Sequence, residues 1–121
     1  MDDLEPATLD KAFKDNTKIV YAEAVSNPTM EVTNIPAVVK WAHDHKILCF
    51  IDDTFTSPYL MKPLDLGVDV VVNSTTKYLN GHGDLIGGSI ISNHEFVENI
   101  RSSIYQELGP VPSPFLSLIH I

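Results

Sequence analysis

Ser74-Thr75-Thr76-Lys77 places hydroxyls beside an amine just where the apolar run "VDVVVNST" (68–75) ends. A lysine amine condenses with an aldehyde when its surroundings help it lose a proton. Neighbouring hydroxyls bond a phosphate oxygen well, because a charged acceptor makes the stronger hydrogen bond. Two further polar pairs also close apolar runs: Ser26-Asn27 after "KIVYAEAV" (18–25) and Asp52-Asp53 at the end of "KILCFIDD" (46–53). An acid such as Asp52, at the end of a buried strand, can hold a ring nitrogen protonated. Taken singly, each group has a plainer reading: a solvated lysine, and acids that form turns or cap helices. Their chemistry depends on whether the chain brings them together.

The elements between them decide that. The runs at 18–25, 46–53 and 68–75 are short and rich in β-branched and aromatic residues, as strands are, and "GGSIIS" (87–92) resembles a fourth. From Asn34, "NIPAVVKWAHDH" sets Ile35, Val38, Val39 and Ala42 at helical spacing, with Asn34 as N-cap and Pro36 in the first turn, where a missing N–H is harmless. A short helix is expected within "SPYLMKPLDLG", punctuated by Pro58, Pro63 and Gly67. A longer one is expected over 93–108, with Phe96, Ile100 and Ile104 on one side. Strands alternating with helices imply crossover connections and a mostly parallel α/β sheet covered on both faces. In such sheets ligands bind outside the carboxyl ends of the strands. If the strands are parallel, the three polar groups therefore crowd one edge.

Composition narrows the class. The chain has 121 residues, 44% hydrophobic and 20% charged, with a net charge of −8 and Arg101 as its single arginine. An acidic chain without a basic stripe is poorly suited to nucleic acid or an anionic membrane. No apolar run reaches the ~20 residues of a membrane span. Cys49 lies in "ILCFI" and reads as a buried strand residue in a reducing compartment, so the expected location is cytoplasmic.

An imine-forming lysine, hydroxyls for a phosphate and an acid for a ring nitrogen are together the requirements of pyridoxal phosphate. The stretches "SNPTMEVTNI", "IDDTFTSPYLMKPLDLGVDVVVNSTTKYLNGHGDLIGG" and "PVPSPF" resemble the pyridoxal-phosphate enzymes of cysteine and methionine metabolism. This transsulfuration family includes cystathionine γ-lyases and γ-synthases, cystathionine β-lyases, methionine γ-lyases and homoserine-ester sulfhydrylases. The resemblance implies a three-layer α/β/α fold, part of the large cofactor domain of fold-type I, aminotransferase-like enzymes. It makes Lys77, in "STTKY", the lysine that bonds the cofactor aldehyde and later moves protons at the substrate's α and β carbons. Ser74 and Thr76 match the phosphate-binding hydroxyls, Asp52 the partner of the pyridine nitrogen, and Asn27 a residue near the phenolic oxygen. A small amino-acid substrate and a homotetramer with sites shared between subunits are also implied. Two positions depart from the pattern: Asp53 stands where asparagine is usual, and Asn73 where histidine is common. A carboxylate beside Asp52 raises one acid's pKa by like-charge repulsion and weakens the grip on the pyridinium.

Other motifs carry less. "GHGDLIGG" has glycines wrongly spaced for a dinucleotide fingerprint and reads as a flexible connection at the cofactor's rim. His43 and His45, two apart near a helix end, read as surface residues rather than a metal pair. His82 and Asp84 lack further metal ligands, and a Ser74–His82–Asp84 triad lacks an oxyanion hole. No metal is expected. Trp41 and Tyr78 read as packing residues. The family's phosphate loop, ring-stacking aromatic and substrate-carboxylate arginine have no counterpart here, and Arg101 has no claim to the last role. Residues 1–115 are thus expected to form part of a cofactor domain. The tail "LSLIHI" (116–121) matches a reading frame of a sequencing-library transposon end and is expected to be an artefact. A second reading follows, that of a truncated, non-catalytic fragment that at most binds the cofactor or associates with a partner.

Overall fold

The computed structural model describes residues 5–111. The order is α1 (Pro6–Ala12), β1 (Ile19–Glu23), α2 (Ile35–Asp44), β2 (Leu48–Asp52), α3 (Ser57–Leu60), a 3-10 turn (Pro63–Leu66), β3 (Val70–Asn73), β4 (Ser89–Ile91) and α4 (His94–Ile100). A π turn (Arg101–Tyr105) then runs into α5 (Gln106–Leu108). The "PSPF" run (112–115) and the tail 116–121 lie outside the described residues.

The sheet runs β1-β2-β3-β4. The first three strands are parallel, with Glu23 beside Asp52 and Asp52 beside Val72. Alternation along the strands sends Val20, Ala22, Cys49, Ile51 and Val71 to one face. There they meet the inner side of α2, formed by Ile35, Val38, Val39, Trp41 and Ala42. Helix α2 starts as its sequence requires: the Asn34 carboxamide accepts from the Ala37 N–H at 3.3 Å, with proline in the first turn. Gly67 ends the 3-10 turn at φ 89°, a left-handed conformation that costs glycine little, and a Cβ there would stand 3.2 Å from Val39 Cγ1. Asp69 ties this layer to the sheet. Its carboxylate accepts from the Cys49 N–H at 2.7 Å and lies 3.1 Å from His43 Nε2.

The α/β architecture with its mostly parallel sheet is the expected one, and several particulars differ. Strand β4 is antiparallel to β3, because residues 74–88 turn back without a crossover helix. The second face is covered only in part: Phe96 of α4 meets Phe50 edge-on at 6.0 Å, whereas Ile19, Tyr21 and Leu48 stay exposed. Ile104, expected on the apolar side of this helix, is exposed, as is every residue of the π turn. Helix α1 was not expected from the sequence, although Pro6 opens it and Leu9 anchors it in the core. His45 is not a plain surface residue. Its ring packs 4.3 Å from that of Trp41 and 4.7 Å from that of Phe13, while the Trp41 indole donates to Asp10 at 2.6 Å. Tyr78 is largely exposed, beside Phe55, and not a core packing residue. Cys49 is fully buried, and desolvation pushes its thiol up to about 11, with the Asp69 charge adding to the effect.

Candidate active site

Because β1, β2 and β3 are parallel, the three polar groups sit at one sheet edge. Asp52 ends β2, half-buried, on the face opposite α2. Two donors fix its carboxylate: the Tyr21 phenol on β1, 3.0 Å from Oδ2, and the Thr54 N–H, 2.9 Å from Oδ1. The Tyr21 phenol is held as a donor, its pKa pushed up to about 12 by burial first and then by the Asp52 and Glu23 carboxylates. A carboxylate offers about four acceptor sites, so two donors leave Asp52 able to take another.

Thr54 does more than orient Asp52. Its Oγ1 accepts from the Ser74 N–H at 2.8 Å, joining the end of β2 to the start of the lysine turn. That turn is tight: Lys77 N–H donates to the Ser74 carbonyl (3.1 Å), Asn80 N–H to Thr75 (3.0 Å) and Gly81 N–H to Lys77 (2.9 Å). The Thr76 hydroxyl clamps it to the approach of β4, donating to the Gly87 carbonyl at 3.1 Å and accepting from the Gly87 N–H at 2.9 Å. A Cβ at Gly87 would come within 2.5 Å of Thr75 Oγ1, so any larger residue there requires the Thr75 side chain to shift. "GHGDLIGG" is thus tied to the lysine turn through Gly87. Just before it, the Asn80 carboxamide donates to the His82 carbonyl and to Asp84. His82 Nδ1 lies 3.0 Å from the Asn80 carbonyl, so this ring serves the loop. Lys77 is exposed and makes no ion pair among the described residues.

Asn27 follows β1 in a small hairpin closed by a Val25–Val32 bridge. It is exposed, and its N–H donates to Glu23 Oε2 at 3.0 Å. Asp53 is 1% exposed. One of its oxygens accepts from the Thr56 hydroxyl, and burial, more than the charge of Asp52, holds its carboxyl above the usual carboxylate range. The acid perturbed by the adjacent pair is thus Asp53, which faces away from the site.

Sequence reasoning missed Tyr21 and Thr54. For Tyr21 a signal existed, because period-two alternation puts it on the same face as Asp52 in the neighbouring strand. A cavity of about 1160 Å³ lies between the β3–β4 region and the helix that follows, lined by Thr75, Leu85, Ile90, Val97 and Arg101 among others, but not by Asp52 or Lys77. The chemistry of the donor set locates the candidate site better than the size of that cavity. Hydroxyls and N–H groups suited to an anion, an amine, and a carboxylate with spare acceptor capacity are what a phosphate-bearing pyridine aldehyde needs, so these residues fit one. Among the described residues no group of three His, Cys, Asp or Glu side chains is placed to hold a metal.

Comparison with known proteins gives the family and the fold. The Cys/Met metabolism PLP-dependent enzyme family matches over residues 1–121. The chain is 50% identical over 103 residues to an L-methionine gamma-lyase of Treponema denticola, covering 84% of this chain and 26% of that protein. It is 44% identical over 104 residues to a canavanine gamma-lyase of Rhizobium leguminosarum, covering 86% and 26%. A crystal structure of cystathionine gamma-lyase from Lactobacillus plantarum complexed with L-serine superposes with a TM-score of 0.86 at 38% identity, over 94% of this chain and 30% of that one. The chain thus spans about a quarter of the length of the curated relatives it matches. It belongs to the Cys/Met metabolism family of PLP-dependent enzymes.

Proposed function

We propose that this chain carries the cofactor lysine of a PLP-dependent lyase or transferase of sulfur amino-acid metabolism. The substrates are of the cystathionine, methionine or O-acyl-homoserine type, with the bond broken at the β or γ carbon. The observation that carries the reading is the convergence of Asp52, Ser74, Thr76 and Lys77 at the carboxyl ends of adjacent parallel strands. Bound there, pyridoxal phosphate supplies an electron sink for bonds breaking at an amino acid's α-carbon. Lys77 Nζ is its attachment point and afterwards the base that moves protons at the substrate's α and β carbons. The Ser74 and Thr76 hydroxyls hold the phosphate, Thr76 by giving up its bond to the Gly87 carbonyl. Asp52, aligned by Tyr21 and the Thr54 N–H, would accept from the ring nitrogen, and Asn27 would serve the phenolic oxygen. The whole enzyme works in the cytoplasm as a homotetramer whose sites are shared between subunits, and this chain by itself is inactive.

Titration of the chain with pyridoxal phosphate tests the reading. A red-shifted cofactor absorbance band is expected, lost in Lys77→Ala and requiring more cofactor in Ser74→Ala. A band that survives Lys77→Ala unchanged would overturn it. The exposed Ile19 and Leu48 favour a second reading, association through the uncovered sheet face. That reading requires a concentration-dependent mass in sedimentation and no Lys77-dependent band.

A further inference from the structure

The parallel register that sets Asp52 beside Val72 sets the next pair, Asp53 and Asn73, side by side, and the antiparallel register sets Asn73 beside Ser89. The Asp53 N–H donates to the Val72 carbonyl at 2.9 Å, as that register requires. Three polar side chains therefore form one row across β2, β3 and β4, on the face that packs against α2. Asp53 and Asn73 are each 1% exposed. Four polar atoms of this row are buried without a hydrogen-bond partner among the described residues: Asp53 Oδ2, Asn73 Oδ1, Asn73 Nδ2 and Ser89 Oγ. Buried polar atoms are costly unless bonded. Neighbouring strands lie about 4.8 Å apart, close enough for such side chains to meet, yet none of these atoms bonds another side chain among the described residues. A single buried water typically makes about three hydrogen bonds to such groups.

We propose that Asp53, Asn73 and Ser89 hold an internal water molecule between them, closing a polar row that ties together the strand ends carrying Asp52 and Ser74. Water both donates and accepts, so it serves an acid, a carboxamide and a hydroxyl at once. An ionised Asp53 would leave a buried negative charge in the row. Burial, with the Asp52 charge adding to it and the Thr56 hydrogen bond opposing it, raises the pKa of this carboxyl above the ordinary range. The protonated acid then donates to the water. The row stabilises the fold fully below the ordinary carboxylate pKa, and that contribution is lost as pH rises through the raised value.

The network rests on the proposed function only for its consequence at Asp52 and Ser74, and its tests use no cofactor. A crystal structure of the protein at a resolution that shows ordered water is expected to hold one within hydrogen-bonding distance of Asp53 Oδ2, the Asn73 carboxamide and Ser89 Oγ. A dry row would overturn the proposal, as would side chains turned to bond each other. Asp53→Asn keeps the shape and removes the titration. Relative to this variant, the wild-type urea midpoint is expected to fall as pH rises from the ordinary carboxylate range. A difference independent of pH would refute the protonated row. Asn73→Leu should shift the midpoint down, and Asp53→Asn should shift it by a different amount in that background. Additive shifts would mean that the two residues share no network.

Discussion

Replacing Thr54 by valine removes one oxygen and nearly nothing else. That oxygen accepts the Ser74 N–H at 2.8 Å in a partly buried position, and it is the side-chain link between the end of β2 and the lysine turn. Valine fills the same space but cannot accept, so the Ser74 N–H is left without its partner. A fully buried orphan donor costs about 1–3 kcal/mol. Here both residues are half-buried, and water recovers part of that loss. The expected cost is about 1 kcal/mol, which at a urea slope of about 2 kcal/mol per molar moves the midpoint down by about 0.5 M. Trp41 is the chain's one tryptophan, buried in the core, so its fluorescence reports the transition. Thr54→Ser keeps the oxygen and is expected to stay close to wild type. The same ordering is expected for amide exchange at Ser74, fast in Thr54→Val and protected in Thr54→Ser. A Thr54→Val midpoint equal to wild type, or a Thr54→Ser variant as weak as Thr54→Val, would refute the assignment of the latch to this hydrogen bond.

Three further perturbations read other parts of the site. Gly87→Ala is expected to lower stability by about 1–3 kcal/mol, the usual penalty of overpacking, because its Cβ meets Thr75 Oγ1 at 2.5 Å; a urea titration measures it. The Tyr21 phenol should titrate near 12 by ultraviolet absorbance, and in Asp52→Asn its midpoint should fall while staying above 10, since burial is the larger cause. Its folded pKa is raised, so the stability it contributes is present below pH 10 and is lost as pH rises towards 12. Cys49, fully buried with a thiol raised to about 11, should react with iodoacetamide only when urea unfolds the chain; rapid labelling of the folded protein would contradict its placement.

What the sequence revealed and what it hid divide along physical lines. The strands were legible because "KILCFIDD" and "VDVVVNST" are β-branched runs stopped by polar residues, and α2 because Asn34 and Pro36 mark its start. Parallel pairing then followed from the spacing, and with it the shared edge for Asp52, Ser74 and Lys77. Partners fixed by register across strands were hidden. Tyr21 reaches Asp52 only because β1 and β2 align Glu23 with Asp52. The row Asp53–Asn73–Ser89 exists only in the pairing of three strands, although two of its members had stood out as departures from the family pattern. Helix α1 escaped notice because a seven-residue segment with Leu9 as its one large apolar residue gives a weak periodic signal. The bracing of 80–87 depends on the hydroxyl of Thr76 and the carboxamide of Asn80, whose contacts follow no period.

The central claim is that Lys77 is the cofactor lysine. The chain would be incubated with pyridoxal phosphate, reduced with borohydride and digested, and the modified peptide mapped by mass, with Lys77→Ala as control. Label confined to Lys77 and absent from the control is the expected result. Label scattered over the seven lysines and unchanged in the control would contradict it.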